Sequence, residues 1–199
     1  MPSNSHISAL MTRWRTADDF ANAYTPRGKA VERLHTVALF PDRCVTGDAP
    51  VLSVLSKAYG RNASVAWLIR LLSEWQEAMP VQGKMNTFQL HTLADNIIRR
   101  FFYLKASEVM LFLARLTGGE YTVKWYGQIN PDVIMEALVE KFLPERDSII
   151  YRHDLEKNLK DAEENSHPHD SITWEEYCKR NGIEGKPNPL SGITDDKEH

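Results

Sequence analysis

Histidine and carboxylate side chains could ligate a metal or move a proton, but their spacing here fits neither task. His167 and His169 flank a proline and His153 lies upstream, with no further Cys or His at metal-site spacing. Glu136 and Glu140 stand four residues apart, as paired acid and base groups can, yet no matching His or Asp accompanies them. We therefore predict no catalytic residue, no metal site and no cofactor.

A group of basic residues could instead contact the phosphates of DNA. Its members are Arg99, Arg100, Lys105, Arg115 and Lys124. They would share one surface if residues 88–104 and 107–117 formed a helix-turn-helix and residues 119–127 formed a wing. Residues 86–147 hold seven basic and eight acidic side chains, however, which is the balance of an ordinary mixed surface. Winged-helix-like DNA binding is accordingly the alternative function.

Aromatic residues outside the apolar helices are the candidates for contact with a protein partner. Trp174 and Tyr177 lie at helical spacing in a polar tail, where they either dock on the chain's own core or form a groove-binding helix. Tyr121, Trp125 and Tyr126 lie in a turn bounded by glycines, where they are either packed inside or displayed. These five residues are the predicted partner-binding set.

Helix start signals show which elements must position these residues. Asn86 and Gln89 have the spacing of a capping box. Ser107, with Glu108 in the first turn, predicts the start of a second helix. The run Asn130-Pro131-Asp132 combines a cap, a first-turn proline and an acid, and predicts a third helix.

Apolar periodicity places the core on the same helices. Residues Val109 to Leu116 are apolar almost throughout, which predicts a buried helix at the centre of the core. The preceding helix is expected to present one apolar side. That side consists of Phe88, Leu93, Ile97, Phe101 and Leu104. The helix from Pro131 is expected to run past Leu159, with a kink at Pro144.

The predicted fold is therefore a mainly α-helical, compact bundle with a short extended, β-hairpin-like aromatic turn at residues 119–127. A hydrophobic content of 42% and a charged content of 26% are those of a globular protein. Residues 1–30 are expected to form a partly helical arm and residues 31–160 the helical domain. Residues 161–199 are expected to form an acidic, largely disordered, flexible tail with a short helix near residues 173–181.

Charge and cysteine content bear on compartment and partners. The net charge is -3, and residues 152–199 hold seven Lys/Arg against twelve Asp/Glu, so broad DNA binding by the whole chain is disfavoured. Cys44 and Cys178 lack a nearby partner and are expected to be free thiols. No apolar run is long enough to span a membrane and the start does not look like a secretory signal, so a cytoplasmic protein without membrane contact is expected.

Several short motifs resemble those of a family of uncharacterised helical proteins carried by phages and mobile elements of Bacteroides-type bacteria. They are Tyr103-Leu104-Lys105, Ser107-Glu108, Met110-Leu111-Phe112, Arg115, Gly119, Tyr121 and Tyr126-Gly127. The resemblance covers about residues 50–150 and is strongest over 101–146. Thr122 stands where that family carries a further glycine, so the turn is expected to differ locally. No residue-level activity follows from this resemblance.

The resemblance implies a phage or mobile-element setting, where small helical proteins often serve replication as helicase loaders or adaptors. Our leading expectation is thus a non-enzymatic, protein-binding adaptor, with a nucleic-acid partner as the alternative. An enzyme of unrecognised type is the third hypothesis. It would be favoured by a deep pocket that gathers Glu and His side chains distant in sequence.

Overall fold

A computed structural model describes residues 4–166 and 174–182. The chain divides into two compact units, Met1–Asp154 and Leu155–His199. The helices in order are α1 (Asn4–Arg13), α2 (Ala17–Tyr24), α3 (Ala30–Ala38), α4 (Pro41–Thr46), α5 (Leu52–Tyr59), α6 (Arg61–Ala78), α7 (Thr87–Arg100), α8 (Ala106–Thr117), α9 (Pro131–Ala137), a π-helical stretch (Leu138–Phe142), α10 (Leu143–Ser166) and α11 (Trp174–Asn181).

The mainly α-helical fold predicted from the sequence is confirmed. In the described ranges the chain forms no strand, and its β pairing consists of isolated bridges from Val51 to Lys105 and from Gly83 to Gln128. The aromatic turn at residues 119–127 is an irregular extended loop. No helix in the described ranges is both long and apolar enough to cross a membrane.

Helix α8 lies at the centre of the core, as its apolar sequence predicts. Its residues from Val109 to Ala114, and also Leu116, are buried. Helices α3 and α4 pack against it, and α6 packs on α5 and α7. The indole of Trp75 on α6 is fully buried and donates a 2.9 Å hydrogen bond to the Thr117 hydroxyl, which ties α6 to the end of α8.

Helix α7 has the predicted capping box and, apart from Phe88, the predicted inward face. The Asn86 side chain accepts the N–H of Gln89, and the Gln89 side chain accepts the N–H of Asn86, each at 2.9 Å. The prediction that Phe88 faces the core was wrong, because its side chain is 79% exposed. The buried face begins instead at Leu90 and continues through Leu93, Ala94, Ile97 and Ile98.

The predicted start of α8 at Ser107 was also wrong, because the helix begins at Ala106. The cap is Lys105, whose N–H donates to the Glu108 carboxylate at 2.6 Å. The Ser107 hydroxyl does not cap this helix, because it donates to the Cys44 carbonyl at the end of α4, at 2.6 Å. The tertiary contact with α4 therefore sets where α8 begins.

Glu108 is completely buried and forms an ion pair with Arg146 of α10, whose Nε lies 2.7 Å from the carboxylate. Burial raises the pKa of the Glu108 carboxyl, while the Lys105 N–H and the Arg146 guanidinium oppose that rise. The buried carboxylate thus joins the start of α8 to α10, and its charge is balanced by hydrogen bonds on both oxygens.

The N-terminal residues belong to the same compact unit as the central helices. Phe20 of α2 is buried, and its ring centroid lies 5.4 Å from that of Trp67 on α6. Thr16 and Asp19 cap α2 reciprocally. The thiol of Cys44 is buried, which raises its pKa to about 11, and both cysteines are free.

The helix from Pro131 is continuous but changes its winding. The Asn130 side chain accepts the Asp132 N–H at 2.8 Å, as the cap sequence predicts. A π-helical stretch at Leu138–Phe142 comes just before Pro144, where the sequence predicts a kink. Proline lacks an N–H and crowds the preceding turn, and a wider turn accommodates both effects.

In the second unit, α11 lies within the range predicted for a short tail helix. The Tyr177 side chain is 42% exposed. Leu155 and Leu159 of α10 are also exposed in this unit. Thr173, which would cap α11, lies outside the described residues.

Replacing Arg146 tests the buried ion pair. In Arg146→Met the Glu108 carboxylate keeps its burial but loses its cation, so we expect the free energy of unfolding at neutral pH to fall by about 3 kcal/mol. The loss should shrink in acid, because a buried carboxyl with a raised pKa stabilises the folded state when protonated and destabilises it as pH rises. Urea unfolding across pH measures both effects.

The matched control is Arg152→Met on the same helix. Arg152 pairs with Asp42 at 2.6 Å, but both side chains are more than half exposed, so its loss should cost less than about 1 kcal/mol. Equal losses in the two variants would contradict the role of the buried pair.

The bridge at Gly83 offers a second test. Its N–H donates to Gly127 at 3.0 Å and its carbonyl accepts the Ile129 N–H at 2.7 Å. A Cβ at this position would lie 2.6 Å from the Gln128 Cβ. Gly83→Ala should therefore cost about 1–3 kcal/mol in thermal or urea unfolding. Gly118→Ala is the control, because its Cβ would keep a tolerable 3.4 Å to its neighbours.

Candidate protein-binding groove

An open, largely apolar groove of about 680 Å³ lies in the first unit, between α1, residues 46–54 and residues 102–105. We call it the α1 groove. Its volume falls within the roughly 300–1,000 Å³ range usual for ligand sites. The apolar and aromatic side chains that line it include Leu10, Trp14, Val51, Val54, Phe102 and Tyr103.

Trp14 forms one wall and packs against two other aromatic rings. Its ring centroid lies 5.5 Å from those of Phe20 and Tyr24, both in edge-on geometry. Its carbonyl accepts the hydroxyl of Tyr59. Burial raises the pKa of Tyr24 to about 12, so this phenol stays neutral in the wall. The wall is consequently fixed to the core.

A second wall is held by backbone pairing between residues 50–53 and residues 102–106. The Ser53 N–H donates to the Phe102 carbonyl and the Leu52 N–H to the Leu104 carbonyl, both at 2.8 Å. The Ala106 N–H donates to the Pro50 carbonyl at 2.9 Å. These bonds hold the turn at residues 102–105 beside the start of α5.

Lys105 fixes the rim of the groove at the end of α4. Its ammonium donates to the Val45 carbonyl at 2.5 Å and to the Gly47 carbonyl at 2.7 Å. Helix C-terminal carbonyls lack intrahelical partners, so a cation there is favourable. The same residue caps α8 through its N–H. One residue therefore links the groove rim to the helix at the centre of the core.

Two aromatic side chains of this wall remain accessible. Phe102 is 54% exposed and Tyr103 is 39% exposed. The Arg146 guanidinium lies 5.6 Å from the centroid of the Tyr103 ring, so the buried pair with Glu108 also supports this ring. Exposed aromatic residues on a fixed backbone are typical anchors of protein interfaces.

The structure separates the three predicted aromatic residues of the turn. Tyr121 is half-buried on Phe112, 6.3 Å between centroids, and its hydroxyl donates to Glu145; burial and this contact raise its pKa. Trp125 is half-buried, 6.2 Å from Trp75. Tyr126 alone of the three is displayed, at 86% exposure with a left-handed φ of 46°.

The other two predicted partner-binding residues belong to α11. Tyr177 is partly exposed on that helix. Trp174 begins the helix, but its side chain lies outside the described residues. Their role in partner binding stays a prediction.

The five basic residues of the DNA hypothesis have different environments. Arg99 and Arg100 are exposed at the end of α7, and Lys124 is exposed in the loop. Lys105 donates to carbonyls at the groove rim. Arg115 is paired with Glu120 and, at 2.9 Å, with Glu145. Lys105 and Arg115 are therefore engaged by distant parts of the fold, while Arg99 has a local partner, the Asn96 side chain, at 2.8 Å.

The groove residues were missed by the sequence analysis. The run Phe101-Phe102-Tyr103 at a helix end looks like continued core, and only Phe101 is buried. A usable signal was present, since successive side chains point in different directions and three consecutive aromatic residues cannot all face inward. Nothing in the sequence indicated that Trp14 lines the same groove as Phe102 and Tyr103.

Comparison with known families decides what the chain is related to. The model of a family of unknown function, DUF6633, matches residues 84–187, just over half of the chain. The chain belongs to this family. No curated protein and no solved structure matches it. The DUF6633 match includes the Phe102 wall of the α1 groove and excludes the Trp14 wall, so family membership assigns no role to the groove as a whole.

Lys105→Met tests how the groove rim is held. The change leaves two carbonyls at the end of α4 without their donor, so we expect a loss of about 1–3 kcal/mol in unfolding free energy and faster amide exchange in residues 47–51. Lys57→Met, an exposed lysine on α5, is the control and should be neutral. Unchanged exchange in Lys105→Met would show that the rim does not depend on this side chain.

Proposed function

We propose that this DUF6633 protein is a non-enzymatic adaptor that binds a protein partner through the α1 groove. The observation that supports the proposal is the open apolar groove with the accessible rings of Phe102 and Tyr103 on a fixed backbone. Apolar pockets with aromatic anchors contribute most of the binding energy at protein interfaces.

The lining of the groove favours binding over catalysis. Its rim carries one imidazole, His6, and one carboxylate, Asp48, both on exposed residues. Its interior is formed by apolar and aromatic side chains. Such a lining suits the insertion of apolar side chains better than a reaction that requires an activated acid, base or nucleophile.

The setting we propose is a phage or mobile element, with a cytoplasmic, replication-associated protein as the partner. It rests on the sequence motifs that resemble proteins of such elements. Winged-helix-like DNA binding is less well supported, because Arg115 is paired with Glu120 and Glu145 and the loop at residues 119–127 forms no paired wing. DNA recognition by a wing uses exposed cations on a paired β-ribbon.

Affinity capture with groove variants tests the proposal. The tagged full chain, the Phe102→Ser variant and the Phe88→Ser variant are compared after nuclease treatment, and retained proteins are identified by mass spectrometry and re-tested in purified form. We expect a replication protein to be retained by the wild type and by Phe88→Ser, and to be lost from Phe102→Ser. Phe88 is the matched control because it is a more exposed phenylalanine outside the groove.

Retention that is equal in all three proteins would contradict a role for the groove. Capture that disappears with nuclease would contradict protein binding, and a DNA titration that weakens steeply with salt would then support the alternative. A version ending at Lys160 shows in the same experiment whether Trp174 and Tyr177 are needed.

A further inference from the structure

The α1 groove carries more positive than negative charge. It is lined by the cations Arg13 and Lys105 and by the single carboxylate of Asp48. The unit that contains the groove, residues 1–154, holds 18 Lys/Arg against 16 Asp/Glu and is therefore slightly basic as well. A partner segment that enters the groove meets an excess of positive charge.

Arg13 is the cation best placed to meet a partner. It is exposed at the end of α1, and its guanidinium carbon lies 4.5 Å from the centroid of the Trp14 ring. It makes no ion pair with any residue of the described chain. A guanidinium stacked on an aromatic ring keeps its N–H edge available for a carboxylate.

Lys105 adds a second positive charge to the lining of the groove. Its ammonium has carbonyl partners, Val45 and Gly47, and not a carboxylate partner. An ammonium has three donors, so one remains after these two bonds. The carboxylate nearest in sequence, Glu108, hydrogen-bonds through its oxygens to the Lys105 N–H and to Arg146.

We propose that the α1 groove takes a short acidic segment of the partner protein, whose apolar side chains enter between Trp14 and Phe102 and whose carboxylates face Arg13 and Lys105. This inference rests on the proposed function and adds the chemistry of the recognised segment. The volume of about 680 Å³ suits a few apolar side chains of a peptide, and the open rim leaves the flanking acids in water.

The electrostatic part of this contact determines which segment binds. Complementary charges at an interface rim raise the association rate and reject wrong partners more than they raise affinity. The apolar interior supplies the affinity, and Arg13 selects against basic segments. Binding should weaken as salt is raised, because exposed charge pairs are screened.

A displayed library of random peptides tests the inference without knowledge of the natural partner. The library is panned on the wild-type chain after counter-selection on Phe102→Ser. We expect the enriched peptides to carry aromatic or aliphatic residues next to Asp or Glu. Synthetic versions are then measured by fluorescence anisotropy beside versions with each acid replaced by its amide.

Arg13→Glu and Arg15→Glu form the matched pair of protein variants. Both arginines are exposed, but only Arg13 lines the groove. We expect Arg13→Glu to weaken binding of the acidic peptides by about fivefold or more, and Arg15→Glu to leave it unchanged. Thermal unfolding of both variants confirms that each is folded.

The outcomes separate this inference from the proposed function. Enrichment of neutral or basic peptides, equal binding to both variants, or no enrichment over Phe102→Ser would overturn the acidic-segment inference. If the captured partner still depends on Phe102 in that case, the adaptor function stands. If capture is independent of Phe102 while acidic peptides bind in an Arg13-dependent manner, the groove recognises acidic segments but the adaptor proposal fails.

Discussion

A single buried carboxylate, that of Glu108, organises the central part of this fold. One oxygen accepts the N–H that begins α8 and the other accepts the Arg146 guanidinium from α10. A buried carboxylate without partners would be strongly destabilising, so both contacts must form together with the packing of α8. The position of α8 in the core and the position of α10 beside it are therefore coupled through one side chain.

The α1 groove follows from this arrangement. Lys105, whose N–H donates to the Glu108 carboxylate, reaches with its ammonium to the end of α4. Arg146 lies against the Tyr103 ring. The turn at residues 102–105 is also held by the start of α5. The exposed aromatic side chains of the groove thus lie in a segment that contacts α4, α5 and α10. Because this segment is already ordered, less conformational entropy is lost when a partner binds.

Local sequence signals predicted the helices well and the inward faces less well. The Asn86 capping box and the cap at Asn130 formed as expected, because their hydrogen bonds join residues close in sequence. The buried run in α8 was equally predictable from its composition. Phe88 was misplaced because a residue in the first turn faces the core only if a neighbouring element covers it, and none does here. Ser107 was misplaced because its hydroxyl binds α4, a contact between residues far apart in sequence.

The sequence by itself determined that the chain is helical, where α7 and α9 begin, and which helix lies at the centre of the core. These properties depend on caps, periodicity and apolar content within short windows. Only the tertiary structure decided that Trp14 and Phe102 line one groove and that Tyr126 is exposed while Trp125 packs on Trp75. It also decided that Lys105 links the end of α4 to the start of α8. The physical reason is that these residues meet through contacts between distant segments, whose geometry is set by the joint packing of α1, α4, α5 and α8 and not by any local pattern.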